Sequence, residues 1–404
     1  MNRRAFLALA AGGALGGCAL RFWPDERLWN PCLPPEISDS EWLRALWRDL
    51  DPRRVWDCHV HLLGGGAGGS WINPAMDSLR HPLQVLQKKF YVNAACIEGE
   101  PEPDAAYVAR LATLADGLPV GARLMLMAFD WFHDENGRRV PERSAFHTPD
   151  RYCVEVARAH PERFEWIASI HPYREDALEA LAWARQHGAR AVKWLPPAMG
   201  IDPGSKRCDP FYEALARTGL PLLTHAGDEM AVSGGGVEEY GNPLRLRRAL
   251  DRGVRVIVAH CATLGRGTDL DAGEDAPSVH NFDLFVRLMD EPRYQGLLHG
   301  EISAITQVNR LERAIGVLIA RRDWQTRLVN GSDYPLPGVM PLISIKHFAR
   351  RGWLAEEDAE TLAVLRRHNP VLFDFALKRR LQVDGQRFDP TVFESRRLFD
   401  PRRR

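Results

Sequence analysis

The sequence predicts an α/β protein built as a single (β/α)8 barrel, and three observations carry that expectation. Eight short apolar runs recur, at residues 55–62, 124–129, 164–170, 189–195, 221–225, 255–260, 296–302 and 327–330. Stretches of helical period lie between them, at 104–115, 150–160, 176–186, 211–217, 244–251, 282–289 and 310–321. Strands separated by helices argue parallel βαβ units, and eight such units argue closure into a barrel. Finally, residues able to do chemistry stand at the ends of these runs from His59 to Asp333. One site therefore draws on nearly the whole chain, although 404 residues could otherwise hold two or three domains.

Composition narrows the class. Lys and Arg total 53 and Asp and Glu total 53, so the formal net charge is zero and no basic excess invites nucleic acid. Hydrophobic residues at 45% and charged residues at 26% exclude a mainly disordered, fibrous or multi-span membrane chain. Seven cysteines are too few for a disulfide scaffold of this length. Cys58, Cys96 and Cys261 lie in apolar runs and read as buried thiols. The expected partner is a small molecule, and the oligomeric state is open, a homo-oligomer included.

Residues 1–18 read as an export address. Arg3-Arg4 followed by Phe6-Leu7 resembles a twin-arginine signal, and the apolar run after it is too short to span a bilayer. Leu15-Gly16-Gly17-Cys18 resembles a lipobox, which makes Cys18 a lipid anchor and the protein periplasmic or cell-surface, touching the membrane through that lipid only. Residues 19–51 form a Pro- and Trp-containing lead-in with a helical candidate at 41–50. The barrel is expected over 52–380, and 381–404 as a basic, solvated tail.

The first run holds Asp57-Cys58-His59-Val60-His61. Residues two apart on a strand share a face, so His59 and His61 should project together into the barrel mouth, with Cys58 and Val60 opposite and Asp57 one layer deeper. Two imidazoles on one edge can chelate a divalent metal. The glycines at 64–66 follow the histidines without a clear helix, so a dinucleotide loop fails its context test. Later runs continue the pattern, with Lys193, His225, His260 and, in Gly331-Ser332-Asp333-Tyr334-Pro335, an aspartate. Each is costly at the end of a buried run unless something pairs with it.

These residues together resemble the amidohydrolase superfamily of metal-dependent hydrolases, over roughly residues 52–380. Asn369-Pro370-Val371-Leu372-Phe373 resembles the family's closing helix, and the surroundings of Asp333 resemble the branch that includes lactonases and decarboxylases. The resemblance implies that His59 and His61 bind a first metal and that Asp333 is both ligand and general base. Two versions follow from it. With two metals, Lys193 carries a carbamate that bridges them, and His225 and His260 hold the second ion. With one metal, His225 joins His59 and His61, His260 polarises the substrate or shuttles a proton, and Lys193 is a cation near the mouth. Zinc is the first expectation and manganese the alternative, since the same N and O donors serve both.

Further out, His171, Glu301 and Tyr334 are expected substrate contacts. His299 shares a face with Glu301 and could also line the mouth. Arg123, Asp130 and Trp131 are candidate walls, and the glycine-rich 64–69 and the insert 265–278 candidate lids. The expected reaction is attack of activated water on an ester, lactone or amide carbonyl. Non-oxidative decarboxylation of an aromatic or unsaturated acid is the alternative enzyme reading. A tethered, non-catalytic binding protein is the alternative outside enzymes.

Overall fold

A computed structural model describes residues 35–232, 235–273 and 276–400. The export signal, Cys18 and most of the lead-in lie outside these. All eight expected runs are strands: β1 Trp56–His61, β2 Arg123–Met127, β3 Phe164–Ile167, β4 Val192–Trp194, β5 Leu222–His225, β6 Val256–Ala259, β7 Leu298–Glu301 and β8 Leu328–Val329. All pairings between them are parallel. The ladders form two sheets, β1-β2-β3 and β4-β5-β6-β7-β8, where the sequence suggested one closed sheet. Isolated parallel bridges span the two seams, Ala168 to Val192 and Val60 to Tyr334. The second seam is irregular because the chain leaves strand geometry after Val329, with Asp333 at φ 63°.

Burial sorts the strands into two faces. Trp56, Cys58, Met125, Met127, Ile167, Ala191, Leu223, Ile257, Ala259 and Val329 form an inner cluster. Val60, Leu62, Leu124, Leu126, Trp194, Val256 and Val258 belong to the outer core, packed with helix residues such as Leu111, Leu215 and Phe285. Strand β1 departs from plain alternation. Its register slips between Asp57 and Val60, so Cys58 joins the inner cluster while Val60 faces out. The extra residue lets Cys58 and His59 both serve the interior, which corrects the expected pairing of Cys58 with Val60.

The longer helices are α1 Pro82–Ala94, α2 Pro103–Asp116, α3 Asp150–Ala159, α4 Ala177–Gln186, α5 Asp209–Thr218, α6 Asn281–Asp290, α7 Arg313–Ala320, α8 Glu356–His368 and α9 Pro370–Arg380. Their ends follow local chemistry. Helix α5 has proline in its first turn and stops at Gly219 in the left-handed region. Helix α9 starts at Pro370 behind Asn369, whose side chain accepts from Leu372 N. The stretch 244–251 breaks into two short pieces, and α7 begins at Arg313, which leaves Arg310 in the loop after β7.

The described part of the expected tail, residues 381–400, is not a solvated strand. Phe393 and Phe399 are fully buried, and Phe399 joins the inner cluster. Arg397 donates to Leu328 O and Arg255 to Leu398 O, so this segment closes the end of the strands opposite the histidines. Phe399 fills the floor, while Phe393 packs against Phe375 of α9 in the outer core. The loop at 64–69 is also tied down, since Asp104 accepts from Gly65 N and Ala67 N, both at 2.7 Å.

Candidate metal centre

The C-terminal ends of the strands deliver one cluster. His59 and His61 come from β1, Lys193 from β4, Glu301 from the end of β7. His260 directly follows β6 at φ 57°, and Asp333 follows β8 at φ 63°. Both are left-handed and neither is glycine, a backbone cost that the surrounding contacts must hold in place.

The ring nitrogens converge on one carboxylate. His61 Nε2 lies 3.1 Å and His59 Nε2 3.3 Å from Asp333 Oδ1, and His260 Nε2 lies 3.9 Å from Asp333 Oδ2. Lys193 Nζ sits 3.3 Å from His59 Nε2. Behind this face, His59 Nδ1 meets Glu301 Oε2 at 3.1 Å, and His260 Nδ1 meets Ser303 Oγ at 2.8 Å. Ser303 Oγ in turn donates to Glu301 Oε2 at 2.8 Å.

Charge and burial set the protonation pattern. Burial would raise the Asp333 carboxyl, but His59, His61 and Arg310 hold it well below the carboxylate range. Burial, with Lys193 nearby, lowers His59, and burial drives His260 well below its ordinary value. The Lys193 ammonium is likewise lowered by burial, against the pull of Asp333 and Glu301. Asp333 is thus held ionised while His59 and His260 are held towards the neutral form, the state in which imidazole nitrogen can bind a metal.

Among the described residues, two groups have the reach to hold an ion: His59, His61 and Asp333, or His59, His260 and Glu301. The first is the better cradle. Glu301 Oε2 already takes His59 Nδ1, Ser303 Oγ and, at 3.3 Å, His260 N, so donors surround it. Its position is that of a carboxylate that orients a ligating histidine. The Nε2 atoms of His59, His61 and His260 around Asp333 form an N/O donor set suited to zinc or manganese.

Against known proteins, the model of the family described as Amidohydrolase matches residues 56–370. The chain belongs to the amidohydrolase family. It is thus an enzyme of a metal-dependent superfamily that acts on small molecules. No curated protein matches it. Solved structures similar to this amidohydrolase include an uncharacterised TIM-barrel protein from Bordetella bronchiseptica, 14% identical with TM-score 0.47, covering 80% of this chain and 99% of the other. A protein described as a probable 2-pyrone-4,6-dicarboxylic acid hydrolase from Acinetobacter baumannii is 13% identical, with TM-score 0.42, covering 76% and 95%. The 5-carboxyvanillate decarboxylase of Sphingomonas paucimobilis is 14% identical, with TM-score 0.41, covering 81% and 99%.

Other expected site residues of the amidohydrolase fall elsewhere. His225 turns aside: its Nε2 meets Asp228 O at 3.2 Å and its Nδ1 Glu229 Oε2 at 3.5 Å. Its ring is still 5.4 Å from that of His260. His171 is withdrawn as a substrate contact. It is 0% exposed, with Nε2 on Met199 O and Nδ1 accepting from Tyr173 N, because Pro172 and the following turn fold back over it. Tyr334 is also fully buried, stacked against Tyr107. Glu301 is in the site but behind His59. His299 is buried in the interior, within the field of Arg397, Arg255 and Arg327 from the floor. Arg123 begins β2, at the opposite end, and pairs with Glu165. Asp130 is buried and bound to Arg174. Trp131 packs against Trp71 and His147, and the Phe146 ring lies 6.5 Å from His61.

Four contributors escaped the sequence reading: Ser303, Glu229, Arg310 and Lys378. Burial pushes Glu229 up to about 7. Arg310 faces Asp333, Glu229 and Glu301, and its Nε has no protein partner. Of these, only Ser303, two residues beyond the end of β7, carried a spacing signal.

Proposed function

We propose that this amidohydrolase cleaves an ester, lactone or amide bond in a small molecule, using one divalent metal held by His59, His61 and Asp333 with His260 beside them. The observation that carries this reading is the convergence of three Nε2 atoms on the Asp333 carboxylate. A divalent ion in such a cradle polarises a carbonyl and acidifies water. Asp333, held ionised, takes the proton of the attacking water and returns it to the leaving group. His260, whose Nδ1 proton points at Ser303, presents an unprotonated Nε2 to the same space, where it serves as a further nitrogen donor or accepts a proton. Lys193 adds a donor on the β4 side. Both His225 nitrogens point into the loop 226–229, so the single ion proposed here is held without His225, unlike the one-metal version that the resemblance implies.

Decarboxylation stays as a second reading because of Arg310, a half-buried arginine in the field of Asp333, Glu229 and Glu301 whose buried Nε has no protein partner, suited to a substrate carboxylate. A panel of lactones, esters and amides run beside hydroxylated benzoates, with product masses, separates the two. Hydrolysis adds the mass of water, whereas decarboxylation removes that of carbon dioxide. Turnover of benzoates alone would overturn the hydrolase reading. The proposal also carries export and lipid attachment at Cys18, checked by radiolabelled palmitate incorporation that Cys18→Ser should abolish.

A further inference from the structure

We infer that Lys378 is a positioning residue of the metal centre: its buried ammonium grips the turn that presents Asp333 to His59 and His61. Lys378 lies on α9, far in sequence from every ligand, and is 0% exposed. Its Nζ donates to Gly331 O at 2.8 Å, to Asn330 Oδ1 at 3.3 Å and to Asp374 Oδ2 at 2.5 Å. An ammonium has three protons, and these three acceptors use them all.

The gripped turn is the inner wall of the site. A Cβ added at Gly331 would lie 2.5 Å from His59 Cβ and 2.8 Å from Glu301 Oε1, so the Gly331 backbone packs directly on both. On the far side of the turn, Asp57 Oδ1 accepts from Ser332 N at 2.8 Å and from His59 N at 3.1 Å. Asp333 N then donates to His59 O at 2.8 Å. The segment 330–333 is thus held between β1 and Lys378.

That clamp answers a local need. Asp333 sits in the left-handed region, where a non-glycine residue stays only if its surroundings hold it. A lysine buried without access to water is itself costly, and a methionine of similar length would fill the space. Keeping the charge makes sense here because its three bonds fix one carbonyl, one amide and one counter-ion at set distances. The ammonium also faces Asp57 and Glu301, the two carboxylates that support His59.

The inference rests on the metal-centre reading, and the test separates the two. Zinc affinity is measured by chelator competition, and the melting temperature of the metal-free protein is recorded beside it. Lys378→Met is expected to weaken zinc binding by about tenfold or more, as loss of outer support does at metal sites. Lys378→Arg, which keeps donors, should recover part of that affinity. If Lys378→Met folds, melts lower and binds zinc within twofold of wild type, Lys378 is only structural and the inference is overturned. If Lys378→Met does not fold, Asp374→Asn is used, and unchanged zinc affinity in that variant overturns the inference equally. A wild type that binds no zinc or manganese overturns the metal-centre reading and this inference with it.

Discussion

Glu301 Oε2 lies 3.1 Å from His59 Nδ1, on the side of the ring opposite Asp333. This pairing fixes the tautomer: Nδ1 carries the proton and Nε2 keeps its lone pair towards the site. Burial would raise the Glu301 carboxyl, but His59, Lys378 and Ser303 keep it lowered and ionised. Glu301→Gln preserves shape but turns an ionic acceptor into an amide that can present its NH2 to the ring. Metal affinity should fall about 10- to 100-fold. Chelator competition checks it, and an affinity within twofold of wild type would remove Glu301 from this role.

Lys193 and His225 decide the metal count. In the one-metal version, elemental analysis of protein purified without added metal returns about one ion per chain, and Lys193→Ala retains it. Loss of metal in Lys193→Ala, together with two ions in the wild type and an intact mass heavier by one carbon dioxide, would replace it with the bridged version. His225→Ala should weaken the ion less than His59→Ala does, because both His225 nitrogens already point at Asp228 and Glu229.

The parts of the site legible in the sequence were those on strands or just past their ends. A polar residue at the end of a buried apolar run is conspicuous because burial penalises it, and this exposed His59, His61, Lys193, His225, His260 and Asp333 together. The same rule erred at His171 and Tyr334. Position at a strand end does not say whether a ring turns into the mouth or back under the next turn. The bulge in β1 was likewise invisible, since an inserted residue leaves no mark in a six-residue strand. Arg310 and Lys378 reach the site from a loop and a distant helix, where no spacing rule ties them to the ligands. The floor residue Phe399 was hidden by the arginines around it, which made an apolar plug look like a solvated tail.

Asp150 provides a pH signature away from the metal. Burial, reinforced by Asp130, pushes its carboxyl up to about 7 from an ordinary 3.8, although it accepts from Ser169 N at 2.8 Å. The folded-state pKa exceeds the unfolded one, so its contribution to stability is complete at low pH. It is lost as pH rises from about 4 through about 7. Asp150→Asn keeps an acceptor for Ser169 N and removes the titration. The variant should therefore gain on wild type as pH rises from 5 to 7, by about 1–3 kcal/mol. Parallel denaturant melts at the two pH values check this, and identical slopes would contradict it.

Phe399 tests the floor. It joins Trp56 and the inner cluster from a chain end that is otherwise rich in arginine, and it is fully buried. Replacing it by alanine opens a hole at the base of the strands, and the short helix that carries it, Arg396–Phe399, is too brief to slide inward and refill the space. The expected cost is about 3–5 kcal/mol, that of a buried phenylalanine reduced to alanine. Zinc affinity should barely move, because the ligands sit at the opposite end of the strands and the inner apolar cluster separates the two ends. Thermal melts and chelator competition on Phe399→Ala check both halves. A variant as stable as wild type would mean that the tail only rests on the surface, and one that lost metal as well would mean that floor and site are coupled.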